Sequence, residues 1–203
     1  MRNNLKYSLL SLALMGLLFF LFTGCSQKDR MVQKLQRTLA QEPPYAYKIT
    51  VYFLSPYFET RVPIPLEDLL SEKYRDEYVA EFKENLGDSY AEMIEAGYEG
   101  PLTVIHLSGS ETAESIRAIR ERLQPETIEP VEASGRTNAR VYYLLESSSG
   151  EKLLELLVNA TPETIYINEI EVKTNEAFYQ IIYPCLGDQA ELLKQYFDGV
   201  SSE

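Results

Sequence analysis

Three side chains carry the nucleophile and proton-transfer chemistry that this sequence offers: His106, Ser108 and Cys185. His106 is the only histidine, which excludes metal sites built on two or three imidazoles, the H-E-x-x-H spacing of zinc peptidases among them. His106 and Ser108 lie two residues apart and therefore on one face of an extended segment, within reach of a hydroxyl–imidazole contact. Cys185, next to Pro184, completes a thiol–imidazole pair with His106 only if folding joins distant segments. Each residue also has a plainer role: a histidine satisfied within an apolar strand, a serine opening a helix, a small buried thiol. The acids between Glu67 and Glu84 lack the spacing of a calcium loop and read as the solvated side of a helix. With 31 acidic residues, no pair stands out as glycosidase carboxylates. No motif asks for a cofactor or a metal, so catalysis is not expected; a hydrolase using His106 with Ser108 or Cys185 is the alternative.

A binding surface has better support. Tyr45, Tyr47, Tyr52, Phe53, Tyr57 and Phe58 cluster in fourteen residues, and Tyr57-Phe58 falls just beyond a strand. Tyr52, Tyr57 and Phe58 are the candidate platform for a glycan, a peptide or a cationic ligand, since aromatic faces stack on sugars and attract cations. Core and strand-edge packing is the competing role for these rings.

Cys25 brings a different chemistry. It follows Phe22-Thr23-Gly24 at the end of an apolar run, Tyr7 to Phe22, that begins after the basic residues Arg2 and Lys6. As a helix those sixteen residues span roughly 24 Å, short of the ~30 Å hydrocarbon core of a bilayer. The segment resembles a bacterial lipoprotein signal peptide. The resemblance implies cleavage after Thr23 and Gly24, acylation of the Cys25 thiol, and a body tethered on the extracytoplasmic face of the cell membrane. Phe22 stands where the family usually has Leu, Val or Ile, with Leu21 one place earlier. An uncleaved N-terminal membrane helix is the alternative, and it also exports the body.

Removing residues 1–24 as a signal leaves a 25–44 segment and a 45–203 body. The first of these carries a net charge of +2. The body, with 13 basic against 29 acidic side chains, carries −16. An acidic body on a slightly basic stalk suits attachment to an anionic membrane and disfavours nucleic acid as a partner. In the stalk, Met31, Val32, Leu35 and Leu39 recur at helical spacing up to Pro43-Pro44, which predicts a short amphipathic helix, docked on its own domain or lying on the bilayer.

The elements that must position these residues follow from periodicity. Tyr47, Ile49, Val51 and Phe53 alternate as in a strand with one buried face. A helix is expected over Leu66–Leu86, stopped by Gly87, and a second over Tyr90–Ala96 behind a Ser89–Glu92 capping box. Leu102–Leu107 is apolar on both sides and reads as a central strand, leading into a helix capped by Ser108 and Glu111 with Ala113, Ile116, Ile119 and Leu123 inward. Gln124–Asn138 reads as loop with a short edge strand near Ile128–Val131. A meander follows: Arg140–Glu146, Lys152–Asn159, and a hairpin Thr164–Ile167/Ile170–Lys173 turning at Asn168-Glu169, a turn strained or three residues long because Glu169 stands where glycine is normally wanted. The leucines of Lys152–Asn159 also permit a helix, but the glycine turn before them favours sheet. Thr174 or Asn175 caps a helix that Pro184 should break, and Asp188 opens the last one.

Runs of helix and of adjacent strands give an α+β class, an antiparallel or mixed sheet with helices mainly on one face, in a single domain. Leu102–Leu186, with its strand, its I-x-x-I-x-x-x-L helix, its meander, its Y-I-N hairpin and its closing helix, resembles a module of bacterial lipoproteins. That resemblance implies no activity. The expected function is a lipid-anchored envelope module that binds a protein, glycan or peptide, with a structural subunit of an envelope complex as a further alternative.

Overall fold

A computed structural model describes residues 26–55, 70–95, 100–132, 139–160 and 163–200. Thr23, Gly24, Cys25, Tyr57 and Phe58 lie outside the described residues. The fold is α+β: one six-stranded, wholly antiparallel open sheet with helices mainly on one face. The elements run α1 (Gln27–Leu39), β1 (Lys48–Leu54), α2 (Glu72–Leu86), α3 (Asp88–Glu95), β2 (Leu102–Leu107), α4 (Gly109–Arg122), β3 (Ala139–Glu146), β4 (Lys152–Asn159), β5 (Thr164–Ile167), β6 (Ile170–Lys173), α5 (Glu176–Leu186) and α6 (Gln189–Val200). The spatial order is β2-β1-β3-β4-β5-β6.

The main core lies between the sheet and α1, α4, α5 and α6. Ile49, Val51 and Phe53 of β1, Val141, Tyr143 and Leu145 of β3, and Leu154, Leu156 and Val158 of β4 meet Ile116, Ile119, Phe178, Ile181, Leu193 and Phe197 there. The opposite face holds a smaller cluster, Leu54, Tyr142, Leu144 and Leu157 under Phe82, with Tyr78 and Leu86 alongside.

Helix α1 is part of this core rather than a spacer. Val32, Leu35 and Leu39 are buried in the main cluster, each worth roughly 1.5–3 kcal/mol of burial. Ser26 and Asp29 form a capping box at its start, Lys28 Nζ donates to the Ile128 carbonyl (2.9 Å), and the Tyr47 hydroxyl donates to the Thr38 carbonyl (2.7 Å). Of the two placements open to this helix, docking on its own domain is the one found.

The structure departs from the sequence expectations at four places. Leu102–Leu107 is an edge strand, paired only with β1 among the described strands. Its two-sided apolarity reflects partial burial above and below: Ile105 and Leu107 pack on the main cluster and Leu102 on the other, while His106 is exposed. Burial of both faces does not determine how many neighbours a strand has within its sheet. Pro184 lies inside α5, which continues to Leu186 and ends at Gly187 with φ 54°. This near the helix end, proline forfeits one backbone bond without ending the helix. The helix expected over Leu66–Leu86 is broken at the extended Ser71, between a helical Leu70 and α2, with residues 66–69 outside the described residues, and only Phe82 of the α2 stripe is buried. Helix α3 begins at Asp88, which puts Ser89 inside the helix and not at its cap.

The hairpin turns as expected. Asn168 and Glu169 both take positive φ (45° and 71°), the mirror-image turn that matches strand twist, at the cost of a non-glycine residue in its second position. Backbone contacts from Glu129 and Val131 to β6, around a Pro130–Val172 bridge, supply the short edge piece expected near Ile128.

Candidate functional site

Helices α4 and α5 run beside each other over the β2 side of the sheet and leave a groove of about 690 Å3 between them. One side is α4, which enters straight from β2 through Ser108. The Ser108 backbone N–H donates to the Glu111 carboxylate (3.3 Å), the reach-back half of a capping box. The other side is α5, opened by Asn175, whose side chain accepts from the Ala177 N–H (3.0 Å). Ile105 and Leu107 of β2 close the strand side. Tyr179 and Tyr183, one helical turn apart, stack with ring centroids 5.0 Å apart and 17° between planes. Lys194 of α6 holds its ammonium 5.1 Å from the Tyr183 ring.

The floor is a buried polar chain. Ser115 Oγ lies 2.8 Å from the Tyr143 hydroxyl and 3.6 Å from Cys185 Sγ, and the Cys185 thiol donates to the Ile181 carbonyl (3.3 Å). With that thiol proton committed, Ser115 donates to sulfur and accepts from Tyr143, and every proton of the chain has a partner. Burial pushes the Cys185 thiol up to about 11, its Ser115 bond pulling the other way. Burial also holds the Tyr143 phenol well above its ordinary range. At neutral pH the cysteine is therefore a protonated, weakly nucleophilic thiol. Tyr179 is pushed up to about 12, again by burial.

The structure separates Cys185 from His106, the two lying on opposite faces of the sheet. Strand side chains alternate, so with Ile105 and Leu107 on the groove side His106 points to the opposite face. There it is exposed, with Nδ1 3.3 Å from Thr50 Oγ1. Cys185 is buried on the groove side. Ser108 is exposed at the start of α4. Tyr52 is half-buried on the face away from the groove, its ring 5.9 Å from that of Tyr142, with the Arg75 guanidinium 5.7 Å from its centroid. Its aromatic face thus already holds a cation of the same chain. Tyr47 and Phe53 are core, and Tyr45 is 73% exposed.

Ser115, Tyr179 and Tyr183 carry no sequence motif. A polar residue beside Ile116 on the buried stripe of α4 was the one visible sign of Ser115, and the i,i+4 spacing was the only sign of the tyrosine pair. On the far face the Tyr142 hydroxyl donates to the Glu155 carboxylate, which also pairs with Lys152 (2.8 Å). This second polar cluster ties β3 to β4. No family model, no curated protein and no solved structure matches this chain.

Proposed function

We propose that this protein is a lipid-anchored extracytoplasmic module, held at the cell membrane through Cys25, that binds a protein, glycan or peptide partner of the envelope in the α4–α5 groove. It performs no chemistry of its own. The observation that carries the binding role is the groove, in the size range of ligand sites, with stacked tyrosines on one wall and a floor of mutually satisfied, protonated groups. The anchor rests on the run Tyr7–Phe22 followed by Thr23-Gly24-Cys25. A net charge of −16 on residues 45–203 disfavours nucleic acid.

The hydrolase alternative needs His106 beside Ser108 or Cys185. His106 and Cys185 lie on opposite faces of the sheet, which lends no support to that pair. The large exposed apolar side chains among the described residues, Tyr45, Tyr74, Ile94 and Val131, come from four different segments, which gives little support to a structural subunit.

A photo-crosslinking amino acid at Gln180, inside the groove, tests the binding role in cells producing the full chain. We expect a discrete adduct that is lost with Tyr183→Ala and not seen from Lys173 on β6. Equal labelling from both positions, or no adduct at Gln180, overturns it. The anchor is tested separately: Cys25→Ala should leave an uncut precursor without the acyl mass, and an unchanged mass rejects acylation.

A further inference from the structure

The two edges of the sheet are finished differently. At β6, Val131 N–H donates to the Glu171 carbonyl (3.0 Å), Lys173 N–H donates to the Glu129 carbonyl (2.9 Å), and Pro130 lies across Val172. Glu171 and Lys173 add charge to that strand. These are the usual guards against another strand pairing there. Strand β2, Leu-Thr-Val-Ile-His-Leu, has no proline, no charged residue and no register shift against β1, and no described strand lies on its outer side.

The ladder shows which backbone groups turn away from β1. The Ser55 N–H donates to the Pro101 carbonyl (2.9 Å), which makes Ser55–Pro101 a hydrogen-bonded pair. Counting in twos along the antiparallel register, Thr103, Ile105 and Leu107 bond to β1, while Leu102, Val104 and His106 turn their N–H and C=O groups outward. A strand laid against those groups would place alternate side chains beside Ile105 and Leu107, at the strand side of the groove. One site therefore offers backbone pairing for affinity and a groove for side-chain selection.

We propose that β2 is the docking edge for an extended, basic segment of another polypeptide, which adds a seventh strand and sends alternate side chains into the α4–α5 groove. Charge decides the occupant. The groove carries Glu111, Glu114, Glu121 and Glu176 against Arg117 and Arg122, on a body of net −16, so a basic segment is attracted and a second copy of this acidic chain is repelled. The proposal rests on the groove being a binding site.

A library of random ten-residue peptides, selected against the purified full chain, tests both parts. We expect enriched peptides to alternate apolar and polar residues, to carry net positive charge and to weaken as salt rises. Val104→Pro removes an outward N–H while leaving the bonds to β1, and it should cut affinity at least tenfold. His106→Pro does the same one outward position along, should Val104→Pro fold poorly. Peptides that lose affinity with Tyr183→Ala but bind both proline variants normally overturn strand addition and leave the groove intact. Peptides sensitive to proline but indifferent to Tyr183→Ala keep the edge and remove the groove. No enrichment, or a dimer in sedimentation that Val104→Pro dissolves, overturns the partner proposed.

Discussion

The Ser115 hydroxyl and the Tyr143 phenol meet at 2.8 Å beneath the groove, one from α4 and one from the middle of the sheet. Tyr143 is completely buried, so the serine is the partner that satisfies its polar end. Ser115→Ala should destabilise the protein by about 1–3 kcal/mol by orphaning the phenol, and adding Tyr143→Phe should recover part of that loss. Urea unfolding of the two singles and the double decides it: a double variant no more stable than Ser115→Ala defeats the pairing.

Cys185 should be inert while the protein is folded. In a Cys25→Ala background, its reaction with a disulfide reagent at pH 7 is expected only at the rate of unfolding. The folded thiol titrates at about 11 and the ordinary value is 9.0, so its contribution to stability is complete below pH 9 and fades between 9 and about 11. Chemical denaturation from pH 8 to 11 with and without Cys185→Ala measures it. A thiol reacting fast at pH 7 in native buffer contradicts the buried, protonated assignment.

Glu155 works at the acid end. Burial favours its neutral form, but the bonds from Lys152 and Tyr142 outweigh burial and leave the carboxyl below its ordinary value of 4.5. Its contribution is therefore present above the unfolded value and lost as pH falls through the lower folded one. Glu155→Gln should cost about 1–2 kcal/mol at pH 7, and the gap to wild type should close toward pH 3. A gap that stays constant with pH excludes the charge as its origin.

Glu169 holds φ 71° in the second position of the β5–β6 turn. Glu169→Gly should raise stability by about 1 kcal/mol, because glycine enters that region without a side-chain clash. A lower melting temperature in the variant counts against strain at this position.

Alternation along Tyr47–Phe53 and through the hairpin places three strands nearly to the residue, although β1 is buried on both faces, Thr50 and Leu54 included, where alternation suggests one. The leucines of Lys152–Asn159 were resolved as sheet by the turn before them, where Gly150 takes φ 82°. The lateral place of β2 was not legible, since side chains report what lies above and below a strand and not beside it. Nor was the floor of the groove. Tyr143 and Cys185 lie 28 and 70 residues beyond Ser115, and only tertiary packing brings their short-range bonds together.

The capping box at Ser26 has a mechanical consequence. One peptide bond separates that cap from Cys25, and the helix it opens is pinned into the core by Val32, Leu35 and Leu39. Were Cys25 to carry acyl chains, the covalent path from lipid to the folded body would be one residue long, so α1 itself, and no flexible spacer, would bear the tether.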